Sequence, residues 1–249
     1  MCTVIVLIRP GHAWPVVVAA NRDEMEARAW DMPAAYWPDL PGVAAGRDRT
    51  AGGTWMGVGR DGVMAAVLNR PGSLGPAAGK RSRGELPLMA LRHADAAAAA
   101  EALAALDAAP WRGFNMVVAD RRGAFFVRGV GHGRVAVQAL PPGLSMVTAH
   151  DPNDMDSPRV ARHLPRFRAA RAPEPGDWGD WPALLADRAG DAGEQLNVRP
   201  RGLTSNGWSD SGFATVCSSL VALPAAGGAE WLFAPGPPHA AAFAPLALP

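Results

Sequence analysis

Met1-Cys2-Thr3-Val4-Ile5-Val6-Leu7-Ile8, then Arg9-Pro10-Gly11, then Val16-Val17-Val18-Ala19-Ala20-Asn21-Arg22-Asp23-Glu24, are the pieces of sequence that decide the fold. Val4 to Ile8 and Val16 to Ala20 are β-branched or small apolar runs of strand length, and Arg9-Pro10-Gly11 supplies turn chemistry between them. They predict a buried hairpin. A hairpin returns its chain to where it began, so the quartet Asn21-Arg22-Asp23-Glu24 is expected beside Cys2. A thiol near the start of the chain would then face a fixed cation and two carboxylates.

Methionine is commonly trimmed when the second residue is small. Removal of Met1 would give Cys2 a free α-amine, whose intrinsic pKa of roughly 7.7–8.0 suits a base at neutral pH. The thiol, at about 8.5 when unperturbed, falls when a cation lies next to it. One residue would hold nucleophile and general base together, with Arg22 supplying the cation and Asp23 holding the amine. The same residues also read as a small buried strand residue and a polar strand end. Whether Met1 is removed is open at this point.

Half of the 249 residues are apolar (49%), enough for a sizeable core, and no linker or charge run splits the chain. One domain over residues 1–249 is expected. A formal net charge of +1 argues against a general nucleic-acid binder. Cys2 and Cys217 lie far apart with no metal-ligand spacing, and no haem-attachment motif is present. No metal site is expected. The first apolar run is broken by Arg9 and lacks a cationic leader. No run approaches the ~18 apolar residues of a membrane span. A soluble, reducing, cytoplasmic setting is expected; the oligomeric state is open.

Further along, Met32 to Gly42 reads as a proline-rich loop and Gly46 to Gly53 as a glycine-punctuated segment. Arg60-Asp61-Gly62 turns the chain back through Val63 to Leu68 into Asn69-Arg70-Pro71-Gly72. Ser82 to Leu106 is expected to be one long helix stopped by Pro110. Gly113 to Asp120, Ala124 to Arg128 and Arg134 to Leu140 read as a meander, and Ser145 to Asp151 begins with a strand. Ser157-Pro158 opens a helix with Arg159, Arg162, Arg166, Arg168 and Arg171; such a run reads first as a solvated face. Trp181 to Ala189 is expected to be helical. Gly190 to Asp210 reads as an irregular lid, and Phe213 to Leu223 as a strand pairing with Glu230 to Phe233.

Met1-Cys2-Thr3, Ala19-Ala20-Asn21-Arg22-Asp23-Glu24, Gly52-Gly53-Thr54-Trp55-Met56-Gly57, Arg83-Gly84-Glu85-Leu86 and Gly113-Phe114-Asn115 through Asp120 resemble the blocks of the NRDE family. This is the family of the transport-and-Golgi-organisation protein. The resemblance implies an α+β, four-layer αββα Ntn-hydrolase-like sandwich of two antiparallel sheets. The serial hairpins with helices gathered into separate stretches agree. More distantly, Met56 to Gly72 resembles choloylglycine hydrolases and penicillin V acylases. Carried over by position, Cys2 matches their nucleophile and Asn69 their oxyanion-hole asparagine, while Arg22 and Asp23 match their arginine and aspartate approximately. Their second asparagine would fall near Ala149 or His150.

Two functions follow as expectations. In the first, the site handles a small apolar ligand with acidic groups, as in haem or acyl-CoA trafficking. Asn21, Arg22 and Glu24 would grip the acids, Trp55 would line the cleft, and Asn115 and His150 would add contacts. No cofactor is required, and haem is a candidate ligand with Cys2 or a histidine on the iron. In the second, the protein is an N-terminal cysteine amidohydrolase acting on linear non-peptide amides through Cys2, Arg22, Asp23 and Asn69.

Overall fold

The computed structural model describes residues 2–199, 201–204 and 207–249. The opening hairpin forms as the apolar runs dictate: β1 (Thr3–Ile8) pairs antiparallel with β2 (Val16–Met25), in a register that sets Thr3 opposite Asn21 and Ile8 opposite Val16. The polar quartet is the last part of β2 itself, the polar strand end expected. Then come β3 (Trp30–Ala34), β4 (Ala44–Asp48), β5 (Met56–Val58) and β6 (Met64–Asn69). Helices α1 (Glu85–Ala90) and α2 (Ala96–Ala104) precede β7 (Phe114–Asp120), β8 (Gly123–Gly129), β9 (Ala136–Ala139) and β10 (Gly143–Val147). Helices α3 (Pro158–Ala169) and α4 (Trp181–Leu185) follow, then β11 (Arg201–Thr204), β12 (Gly207–Leu223), β13 (Glu230–Ala234) and β14 (Ala244–Pro245).

The strands form two antiparallel sheets. One runs β10-β1-β2-β12-β13-β14, with β11 on β12; the other runs β3 through β9 in chain order. Alternation along β1 and β2 sorts their side chains between two buried faces. Val4, Val6, Val16 and Val18 enter the core between the sheets, where they meet Met56, Met64, Ala66 and Leu68 of the second sheet. Ile5, Val17 and Ala19 point outward, under Val160, Leu164 and Phe167 of α3 and Leu185 of α4. On the far side, Ala99 and Leu103 of α2 and Leu86 of α1 cover Ala65, Met116 and Val118. Helices, two sheets and helices stack in four layers, as expected. Strands buried on both faces must be apolar almost continuously, which is why these runs read so plainly; each buried Val or Ile is worth ~1.5–3 kcal/mol.

Three expectations need correction. The long helix from Ser82 is two helices, because Asp95 leaves helical geometry and caps α2 by accepting the Ala98 N–H at 2.8 Å. A side-chain cap satisfies an orphan donor that a continuous helix would not have. The edge strand β3 runs into the start of the proline-rich loop, and Pro33 falls in a register shift against β4, a position where its missing N–H costs little. The lid expected over 190–210 contains β11 and the start of β12; Pro200, Ser205 and Asn206 lie outside the described residues.

Candidate functional site at the end of the first hairpin

Extending the β1–β2 register by one residue sets Cys2 opposite Arg22, and β12 sets Cys217 opposite Arg22 from the other side. Even-numbered residues of β2 face the inter-sheet core, so Arg22 and Glu24 do too, while Asn21 and Asp23 face the α3 layer. Both cysteines are free thiols. Two strand spacings separate them by about 10 Å, beyond disulfide reach. Arg22 lies between.

Cys2 is half-buried, and its Sγ donates weakly to the Asp23 carbonyl at 3.7 Å. Burial pushes its thiol up, the Asp23 carboxylate adds to this, and the Arg22 guanidinium opposes it. Cys217 is sealed, 1% exposed, and burial pushes its thiol up to about 12. It packs in the core between the sheets. Arg22 is 6% exposed, stacked on Trp55 at 4.2 Å from ring centroid, with Nη2 3.9 Å from Glu24 and 4.0 Å from Asp48. Its Nη1 is buried without an acceptor.

Asp23 turns its carboxylate to the other face. Oδ2 accepts from Arg159 Nη1 at 2.9 Å and Oδ1 from Thr215 Oγ1 at 2.7 Å; the same Arg159 Nη1 donates to Thr3 Oγ1 at 3.0 Å. A bulge in β12 between Thr215 and Cys217 lets one strand serve both sides: Thr215 reaches Asp23 while Cys217 flanks Arg22. Arg159 therefore departs from the solvated face expected for the arginines of α3. It is 4% exposed and shares the inward stripe of Val160, His163, Leu164 and Phe167. Neither Arg159 nor Thr215 was a sequence candidate. The i, i+4 spacing of Arg159 and His163 beside Val160 and Leu164 was the available signal.

A cleft of about 390 Å³ opens over this end of the sandwich, lined by Cys2, Arg22, Asp23, Glu24, Trp55 and Asn69 among others. A smaller recess of about 20 Å³ behind Cys2, Arg22 and Trp55 runs between the sheets against Ala66 and Leu68. Asn69, the last residue of β6, is partly exposed in the cleft and makes no side-chain hydrogen bond among the described residues. The far wall is the 71–84 segment, which lacks helix or regular strand. It is clipped to the near wall where Gly53 meets Gly84: a Cβ on Gly53 would lie 2.5 Å from the Gly84 carbonyl carbon, and Thr54 N donates to Gly84 O at 3.0 Å. Two of the sequence blocks thus touch through bare backbone.

Three candidate ligand contacts lie elsewhere. Asn21 donates to Leu185 O at 3.0 Å and Leu196 O at 2.9 Å and accepts from Ser218 at 2.6 Å, so its side chain ties β2 to the α4 layer. Asn115 donates to Thr148 O at 2.9 Å and His150 O at 2.6 Å and accepts from Arg70 at 2.6 Å. It staples the two sheets with no exposed surface. His150 lies 3.4 Å from Asp154 and, like Ala149, outside the cleft lining. No second asparagine therefore joins Asn69 from that position. Among the described residues, no group of three His, Cys, Asp or Glu is placed to hold a metal ion.

The two antiparallel sheets between helix layers define the class: an Ntn-hydrolase-like α+β sandwich. Solved structures with this fold include a Caenorhabditis elegans N-acylethanolamine-hydrolyzing acid amidase ortholog, with TM-score 0.53 and 11% identity over 88% of this chain and 92% of that one. A mutant of the conjugated bile acid hydrolase from Clostridium perfringens gives TM-score 0.53 and 13% identity over 100% and 97%. An arginine-to-leucine variant of the same enzyme gives 0.52 and 14% over 94% and 89%. No curated protein matches the sequence. The family model of Transport and Golgi organisation 2 matches residues 1–169, and the chain belongs to that family. No helix among the described residues is long and apolar enough to cross a membrane.

Proposed function

We propose that the cleft binds a small amphipathic molecule through its acid group, with Cys2 on the cleft floor. The observation that carries this reading is the state of Arg22: 6% exposed, stacked on Trp55, with a buried Nη1 lacking an acceptor. A buried donor left unmade costs about 1–3 kcal/mol, and a ligand oxygen entering the cleft removes that cost. The cleft volume of about 390 Å³ falls in the ~300–1,000 Å³ range of small-molecule sites. Haem, with carboxylates on an apolar ring, and acyl-CoA, with phosphates joined through a polar arm to an apolar chain, are the ligands to try first. No histidine lines the cleft among the described residues, so iron of a bound haem would draw on Cys2.

Protection of Cys2 from alkylation is the test. Titration with haem or palmitoyl-CoA is expected to slow iodoacetamide labelling of Cys2 saturably, and Arg22→Gln to weaken the ligand at least tenfold. Labelling that stays unprotected by either ligand refutes the reading.

One observation favours a second reading, amide hydrolysis: Cys2 shares the cleft with Arg22 and the unanchored carboxamide of Asn69. The structural neighbours named for hydrolysing N-acylethanolamines and conjugated bile acids lend it analogy. Cys2 Sγ would form a bond to the acyl carbon as the C–N bond breaks, the amine leaving with the thiol proton; water would then hydrolyse the thioester. Base assistance from the Cys2 amine requires loss of Met1. The raised thiol is why this reading stands second. Intact mass after incubation with N-acyl amides decides it: an acyl adduct lost in Cys2→Ala supports hydrolysis, and unchanged substrate refutes it.

A further inference from the structure

The charges on the two walls of the cleft are unequal. On the near wall, Glu24 and Asp48 face Arg22 and Arg28: Arg28 Nε lies 2.8 Å from Asp48 and 3.7 Å from Glu24. Asp23 belongs to Arg159 and Thr215 across the sheet. That wall is balanced. The far wall carries Lys80, Arg81, Arg83 and Arg112, and residues 70–84 contain no acid at all. Arg81 pairs with Glu85. The other three have no carboxylate within ion-pair distance among the described residues, and their hydrogen bonds go to neutral oxygens.

Those contacts aim three cations at one wall. Lys80 Nζ donates to Ala109 O at 2.6 Å. Arg83 Nη1 donates to Ser73 O at 2.7 Å, Ser73 Oγ at 3.0 Å and Gly113 O at 3.3 Å. Arg112 donates through Nη2 to Gly72 O at 2.5 Å and through Nη1 to Leu74 O at 2.6 Å. Carbonyls fix the positions of these groups without cancelling their charge. Arg83 and Arg112 repel one another closely enough that, after burial, Arg112 is the next influence lowering the Arg83 pKa, opposed by Cys2 and by Glu24 across the cleft. Like charges gathered in a concave, partly desolvated site set up a field that concentrates counter-ions, and guanidinium forks match carboxylate and phosphate oxygens.

We propose that Lys80, Arg83 and Arg112 form an oxyanion subsite on the far wall, so that the ligand lies across the cleft with a carboxylate or phosphate on these cations and its apolar body over Leu74, Val67 and Trp55 toward Cys2. The assignment deepens the binding reading above and rests on it. Under the hydrolytic reading it selects substrates with an anion remote from the scissile amide. Either way, a neutral amphiphile of the same length is the wrong ligand.

The test uses three amphiphiles of one chain length, dodecanoate, dodecyl phosphate and dodecanol, each below its aggregation concentration, titrated calorimetrically into the full chain. The acids are expected to bind at least tenfold more tightly than dodecanol, with an advantage that shrinks as salt rises. The stronger acid identifies the oxyanion. Lys80→Gln should lower acid affinity several-fold and leave dodecanol unchanged. Because Arg112 also organises the 72–76 turn, its variant is Arg112→Lys, which keeps the charge: the preference for acids should fall but remain. Equal binding of dodecanol and both acids, or a full acid preference in Lys80→Gln, overturns the subsite. The outcome is separable from failure of the binding reading, which is read by Cys2 protection: a full acid preference in Lys80→Gln, with the acids still protecting Cys2, leaves that reading standing and removes this one.

Discussion

Replacing Arg159 with methionine takes the guanidinium away from a carboxylate that has no exposed surface. The side chains of Asp23 and Arg159 are 0% and 4% exposed and 2.9 Å apart. Breaking a buried pair by removing one partner costs about 3–5 kcal/mol, mostly as the penalty of the charge left behind. Against a total stability of about 5–15 kcal/mol that is a large fraction. For a chain of this size, each kcal/mol moves Tm by about 2–4 °C, so Arg159→Met should melt roughly 6–20 °C lower. Adding Asp23→Asn removes the charge that Arg159 faced and keeps an acceptor for Thr215, so the double variant should recover at least half of the loss. Urea unfolding of wild type, both single variants and the double variant gives the coupling energy by a double-mutant cycle. A coupling below about 1 kcal/mol would refute the view that this pair anchors the strand carrying the site.

Further outcomes follow from the same geometry. His163 is buried, donates through Nε2 to Glu194 O at 2.8 Å, accepts from Arg166 at 3.2 Å, and is pushed down by burial to about 4. Its neutral form is the native one, so its stabilisation is complete above the unfolded pKa near 6.5 and is lost as pH falls toward 4. Stability should drop by about 1–3 kcal/mol over that window, and His163→Gln should flatten the drop; an unchanged slope would refute the assignment. Iodoacetamide at pH 8 should label Cys2 and spare Cys217 by mass spectrometry, and Arg22→Gln should slow the labelling, since loss of the guanidinium raises the thiol further. Equal labelling of both cysteines would contradict the sealed position of Cys217. A Cβ on Gly46 would fall 2.3 Å from the Trp55 ring, so Gly46→Ala should cost about 1–3 kcal/mol in urea unfolding and weaken any ligand held by the Arg22–Trp55 stack.

How much of this was legible in the sequence depends on whether one element or two had to be known. The opening hairpin and its register were legible, because Val4 to Ile8 and Val16 to Ala20 could bury themselves only as strands. The Arg60-Asp61-Gly62 turn and the meander from Phe114 were legible for the same local reasons. The split of the first helical region was not, since alanine propensity runs through it and only Asp95 marks the break. At the site, Cys2 beside Arg22 followed from hairpin geometry alone. The carboxylate of Asp23 did not follow, because its direction depends on a helix more than a hundred residues later and on a bulge in β12. Asn21 and Asn115 looked like ligand contacts because buried asparagines and site asparagines are written with the same letter; only their partners tell them apart.

The contact between Gly53 and Gly84 has a consequence for how such a protein changes over generations. It fastens one end of the 71–84 segment, and Arg70, bonded to Asn115 and Asp151, fastens the other. A stretch moored at both ends, with neither helix nor regular strand between, can exchange its residues without disturbing the layers beneath. The far wall of the cleft would then change by rewriting that span, while a single methyl group on Gly53 would press into the Gly84 backbone and break that mooring.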